Sequence, residues 1–228
     1  MLTLLRALFL SVCLLALGSL VHVNPSSASS EDLASASWEM EDRDERAGWT
    51  LYTQPVAGSE YPRYRLVSTS RQPLERVIEA LQLKSRDDRY LGKFQARTVL
   101  ETGDDYAVNH VQIDAPMIAD RDTVLRLNWR LDSETGIYHV EWAPPAQALP
   151  PVADGTVRIA SRGSWQATPR PDGGTDLIYL SHSELGDSVP AWLINRLMND
   201  QIVNELLTLQ DILARELPAV AASAGSSD

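Results

Sequence analysis

The chain is 228 residues long, with 31 acidic against 20 basic side chains and a net charge of −11 at pH 7. That balance excludes nucleic acid as the expected partner, because phosphate binding rests on clustered Lys and Arg, and it excludes a purely electrostatic grip on anionic lipid. The single cysteine, Cys13, lies in the N-terminal apolar run, so the chain beyond that run has neither disulfide nor thiol chemistry.

Residues 1–23 carry one charge, Arg6, followed by ALFLSVCLLALGSLV and then the small residues NPSSASS. A charged start, an apolar run of about 15 residues and a small-residue site at Ser26-Ser27-Ala28 describe a secretory signal peptide over residues 1–28. The competing reading is an uncleaved anchor, since the run approaches the roughly 18 residues that span a bilayer. Val12 is too large a predecessor for a lipid-modified Cys13. Either way the domain is expected outside the cytoplasm, secreted to a bacterial periplasm or tethered there. Residues 29–37 read as a flexible leader and 218–228 as a disordered tail. This leaves 38–217 as one domain, long enough for a well-buried core.

Glu31–Asp42 reads as a short helix anchored by Trp38. The acid-rich EDRDE (41–45) reads as its solvated end, lacking the glycine-punctuated spacing of a calcium loop. WTLYTQ (49–54) and RYRLVSTS (63–70) alternate as half-buried strands. Pro73 opens a helix with Leu74, Val77, Ile78 and Leu81 on one face. Six strands follow between Phe94 and His182: FQARTVLE, YAVNHVQI, TVLRLNWR, IYHVEW, VRIASRGSWQA and TDLIYLSH. Turn chemistry separates them at 103–105, 120–122, 133–136 and 172–174. Six strands in series imply an antiparallel meander.

One face of these strands is apolar. Leu125, Leu127 and Trp129 oppose Arg126, Asn128 and Arg130; Tyr138, Val140 and Trp142 oppose His139 and Glu141. Such a sheet needs a cover, and Pro190–Leu217 supplies one. Ile194, Met198, Ile202, Leu206, Leu209 and Leu213 form a helical stripe, widened by Leu193, Leu197, Val203 and Leu207. Pattern alone leaves open whether that stripe packs as plain core or borders a ligand.

Metal chemistry is not expected. His110, His139 and His182 lie in separate strands with no second ligand at spacing, whereas a metal site needs three or four convergent groups. No nucleophile elbow, phosphate loop or zinc-protease motif appears. Asp120-Arg121-Asp122 reads as a turn held by a local ion pair. No catalytic residue and no cofactor are therefore expected.

Two ordered stretches, PMIADRDTVLRLNWR (116–130) and GSWQATPRPDGGTDLIYLSHSELGDSVPAWLINRLMND (163–200), resemble the StAR-related lipid-transfer (START) domain. The features shared are a proline-containing loop ending in Arg-Asp, a later Gly-x-Trp, a Pro-x-x-Gly-x-Thr turn, a Tyr-bearing strand and the Pro-Ala-Trp-Leu-x-Asn entry to the last helix. The resemblance spans roughly residues 38–217. It implies an α+β helix-grip fold: a curved antiparallel sheet wrapped around a long C-terminal helix, with an internal hydrophobic cavity holding one sterol, phospholipid or similar lipid for carriage between membranes.

On the sheet, the cavity residues it implies are Leu125, Leu127, Trp129, Tyr138, Trp142 and Tyr179; on the helix they are Ile194, Met198 and Ile202. The gate would pair the loop residues Pro116, Met117 and Ile118 with Trp192 and Leu193 at the helix start, and Arg121 and Asp122 would fix the loop. Two departures stand out. Glu184-Leu185-Gly186-Asp187 replaces the family's Asp-Pro-Gly-Gly, and Leu127 stands where some steroid-binding members bury an arginine. A cavity without that charge would meet a ligand's polar end with neutral groups such as Tyr138, Tyr179, Ser181 or Asn109. The expected partners are the lipid and a transiently touched membrane surface, with the protein a monomer. Two alternatives remain: an envelope sensor with a filled core, or a cyclase- or hydrolase-like enzyme. Catalysis would show as His110 or His182 beside a carboxylate inside the cavity.

Overall fold

A computed structural model describes residues 37–92, 95–114, 118–186 and 191–216; the side chains of 191–197 fall outside that description. The signal, most of the leader, the tail, Pro116 and Met117 lie outside the described residues. In chain order the elements are β1 (Glu39–Asp44), β2 (Trp49–Gln54), β3 (Arg63–Ser70), α1 (Leu74–Arg86), a short 3-10 turn (Asp88–Tyr90), β4 (Gln95–Thr102), β5 (Tyr106–Ile113), β6 (Asp120–Leu131), β7 (Tyr138–Ala143), β8 (Thr156–Arg158), β9 (Ala160–Pro169), β10 (Thr175–Glu184) and α2 (Ala191–Arg215).

The strands form one sheet in the order β1-β2-β3-β10-β9-β7-β6-β5-β4, antiparallel throughout. Only the short β8 runs parallel, against β6. The sheet is therefore more than a meander. The chain leaves β3, passes through α1 to the far edge at β4, winds back, and returns with β10 beside β3. The sheet curves, and α2 lies against its concave side in the helix-grip arrangement.

Period-two burial explains why these segments are strands. Tyr64, Leu66 and Ser68 of β3 are 1–4 % exposed, and they pair across to Ser181, Tyr179 and Leu177 of β10, which share the inward face. α1 begins at Pro73, whose fixed φ of −66° suits a helix entry. It buries Val77, Ala80 and Leu81 against α2 and the sheet. In α2, Ile202, Leu206, Leu209, Ile212 and Leu213 are buried and complete the core.

Four local expectations change. Residues 39–44 form an edge strand, not the end of a helix, since β1 pairs with β2 around a bulge between Met40 and Asp42. Asp120-Arg121-Asp122 opens β6 and is not a turn. The segment VRIASRGSWQA divides into β8 and β9, because Ile159 N–H turns to donate to the Asp122 carbonyl. Leu207 is exposed and lies outside the helix stripe.

Candidate functional site

The inward faces of β4–β7, β9 and β10, with α1 and α2, line a partly open pocket of about 210 Å³. Three aromatic rings from three strands form its floor. The Tyr179 ring lies 5.4 Å from Trp142 and 4.8 Å from Trp165, both tilted, and such pairs contribute about 0.5–1.5 kcal/mol each beyond burial. Gly163 makes this possible. It is the cross-strand partner of Trp142, and a Cβ there would stand 2.1 Å from the Leu180 carbonyl oxygen and 2.4 Å from Trp142 Cζ2. The Gly-x-Trp stretch thus leaves room at 163 for a ring supplied by β7. Leu125 and Leu127 on β6, with Met198 and Ile202 on α2, add aliphatic wall.

Polar groups interrupt that wall. Asn109 on β5 and Thr123 on β6 are each 4 % exposed and line the pocket, and Asn109 Oδ1 and Thr123 Oγ1 have no hydrogen-bond partner among the described residues. A buried polar atom left unmet costs about 1–3 kcal/mol. Two other hydroxyls nearby donate within the protein: Ser183 Oγ to Ser161 Oγ at 2.9 Å and Ser85 Oγ to the Leu81 carbonyl at 2.7 Å. Burial pushes the Tyr179 hydroxyl far above the ordinary tyrosine range, and the Glu205 carboxylate adds to the effect. Tyr179 is therefore a neutral group.

Charged side chains reach the pocket as well. Lys84 on α1 is paired with Glu205 on α2. Arg97 on β4 has a side chain only 5 % exposed; it donates to the Ser85 carbonyl, and its Nε donates to Asp88 Oδ1 at 2.9 Å. Sequence reasoning missed all three. The signal was the inward phase of β4, where Arg97 follows Gln95 by two residues, but that phase becomes visible only through the β4–β5 register.

Of the residues implied by the family resemblance, Leu125, Leu127, Trp142, Tyr179, Met198 and Ile202 line the pocket. Trp129 and Tyr138 sit elsewhere. Trp129 Nε1 donates to the Asp104 carbonyl at 3.0 Å, with the Arg86 guanidinium 5.2 Å above its ring. Tyr138 is buried in the core, and its hydroxyl accepts from Gln82 Nε2 at 3.4 Å. The side chains of Trp192, Leu193 and Ile194 are outside the described residues. Of the residues expected to form a gate, Ile118 has a described side chain, and it packs with Leu185 and Met198 on Tyr61. Tyr61 Oη donates to the Gly186 carbonyl at 3.3 Å. Gly186 has φ +78°, and a Cβ there would lie 2.4 Å from Val157 Cγ1, so the glycine is needed both for its backbone angle and for the space.

Arg121 donates to the Ala119 carbonyl at the end of the loop. Asp122 pairs with Arg158, not with Arg121: Arg158 Nε and Nη2 donate to its two oxygens at 2.6 and 2.7 Å, and His110 Nε2 lies 2.8 Å from Oδ2. Arg158 also donates to the Pro150 carbonyl at 3.1 Å. The cluster therefore ties β6 to β8 and to the connection before it. Hydrogen bonding from Arg158 holds the Asp122 carboxyl below the ordinary carboxylate value, with burial opposing and His110 adding to the depression. His182 has its own carboxylate, Glu184 Oε1, at 2.9 Å. Both histidines sit on the outer face of their strands, because their neighbours Asn109, Val111, Ser181 and Ser183 line the pocket.

The comparisons agree with this architecture. The family model for the START domain matches residues 27–215. An uncharacterized protein of Pseudomonas aeruginosa is 28% identical over 167 residues, covering 72% of this chain and 81% of its own. A STAR-related lipid transfer protein of Xanthomonas axonopodis superposes with TM-score 0.65 at 24% identity, covering 77% of this chain and 98% of its own. Human StAR-related lipid transfer protein 5 also gives 0.65, at 18% identity, covering 81% and 94%. With the family model matching nearly the whole described chain and the grip of sheet on helix in place, this protein belongs to the START-domain family.

Proposed function

We propose that the protein takes up one lipid between sheet and helix and carries it between membranes outside the cytoplasm. The START fold supports binding of a hydrophobic ligand. The observation that carries the finer reading is the aromatic-floored pocket bordered, beside the start of α2, by the apolar cluster of Tyr61, Ile118, Leu185 and Met198. Burying apolar ligand surface there contributes about 2.5 kcal/mol per 100 Å² before ordering costs. Release into water forfeits that gain, whereas release into a bilayer does not, so unloading belongs at a membrane. The pocket volume of about 210 Å³ exceeds the roughly 150 Å³ apolar cavity that takes benzene. It falls below the roughly 300–1,000 Å³ of sites for drug-sized ligands. A whole lipid therefore enters as the Ile118–Met198 border yields. The His110–Asp122 and His182–Glu184 pairs do not line this pocket, so the role assigned to it is binding alone.

The modest volume also favours a second reading, a sensor that holds a small hydrophobe and never transfers it. Native mass spectrometry of the purified protein, followed by solvent extraction of what co-purifies, tests the first reading, with one lipid class per protein expected. A protein that is empty after purification and ignores every vesicle lipid offered would sink it. A bound hydrophobe with no transfer between vesicles would select the sensor.

A further inference from the structure

We propose that Asn109 and Thr123 form a hydrogen-bonding anchor for a ligand hydroxyl, so that the pocket selects a neutral, hydroxyl-bearing hydrophobe over an anionic lipid. This rests on the ligand-binding reading above and names the chemical class for that site. Asn109 stands opposite Leu125 and Thr123 opposite Val111 on the paired strands β5 and β6. The two are thus diagonal neighbours on the inward face, about 7–8 Å apart. Both are nine-tenths buried or more, and Asn109 Oδ1 and Thr123 Oγ1 have no partner among the described residues.

A hydroxyl complements this pair. It donates one hydrogen bond to the amide oxygen of Asn109 and accepts one from the Thr123 hydroxyl. The choice rests on Oδ1 facing the ligand: with the amide turned over, both groups would donate and an ether would serve as well. An ether or a carboxylate only accepts and cannot satisfy the amide oxygen. An anionic head would also find the bordering cations committed, Lys84 to Glu205 and Arg97 to Asp88 and the Ser85 carbonyl. It would have to break an ion pair and then face Glu205 or Asp88.

Isothermal titration of the full chain with decan-1-ol, decyl methyl ether and decanoate tests the anchor. The alcohol should bind roughly 3–10-fold more tightly than the ether, and decanoate more weakly than the alcohol. Asn109→Leu and Thr123→Val should each reduce alcohol affinity by roughly 3–10-fold and leave the ether within about two-fold. The ligand-free melting temperature of the Thr123→Val protein should not fall, because its hydroxyl has no partner to lose; a fall would show the hydroxyl serving the fold and overturn the anchor. Equal binding of alcohol and ether by the wild-type protein, or tightest binding of decanoate, would overturn the anchor while leaving hydrophobic-ligand binding standing. If none of the three binds, the ligand-binding reading falls with it.

Discussion

Asp122 shows how one side chain organises the region beside the pocket. It is 2 % exposed, and its carboxylate accepts from both Arg158 nitrogens and meets His110. Asp122→Asn keeps the shape but removes the charge opposite a largely buried guanidinium. Stranding a buried charge in this way costs about 3 kcal/mol, so equilibrium urea unfolding at pH 7 should show a loss of that order. The pH dependence follows from the carboxyl being held below its ordinary value. The stabilisation is fully present above the unfolded carboxylate pKa of about 3.9 and disappears as pH falls through the lower native value. The gap between wild type and Asp122→Asn should therefore be widest at neutral pH and close only below about pH 4. A gap that stayed constant down to pH 2 would mean that the carboxylate charge is not what stabilises the link between β6 and β8.

At the scale of elements, α2 has sides with different duties. Its 25 residues span roughly 38 Å at about 1.5 Å each. Leu206 and Leu209 are fully buried in the core, Met198 and Ile202 border the pocket, and Leu207 looks outward at 42% exposure. Adjacent leucines should thus behave very differently. Leu206→Ala leaves a cavity in the core and should cost about 3 kcal/mol. Leu207→Ala should stay within about 0.5 kcal/mol of wild type, alanine being the better helix former. Paired denaturant melts decide the matter, and equal losses would place the helix in a different rotation. Lys84 and Glu205 clamp α1 to α2 beside the same pocket. The helix cover, the partner helix and the ligand space thus meet at one ion pair.

For the whole molecule, what the sequence revealed depended on how local the determinant was. Strands β6, β7 and β10 were legible because one apolar face stamps a period of two on the chain and Asp- or Gly-rich turns punctuate it. β1 was not. EMEDRD has almost nothing buried on either face, so it carries no alternation, and only its hydrogen bonds to β2 make it a strand. The apolar pocket residues of β6 were legible for the same reason as the strand itself. Arg97, Lys84 and Glu205 were not, because a charged residue reads as solvated until another element supplies its counter-charge. Asn109 and Thr123 belong with them: only the register shows two buried polar atoms side by side without partners. Charge, by contrast, is a property that the sequence settles completely, and it leads to a prediction for the intact protein. A net charge of −11 opposes approach to an anionic bilayer, and the opposition fades as the screening length shrinks from about 10 Å at 0.1 M salt to about 3 Å at 1 M. Lipid transfer to vesicles containing phosphatidylglycerol should therefore be slower than to purely zwitterionic vesicles at low ionic strength, and the difference should vanish in 1 M salt. Contact would then rest on apolar groups such as Ile118 entering the interface. Faster transfer to the anionic vesicles would instead point to a local basic patch overriding the global charge and would refute this account of docking.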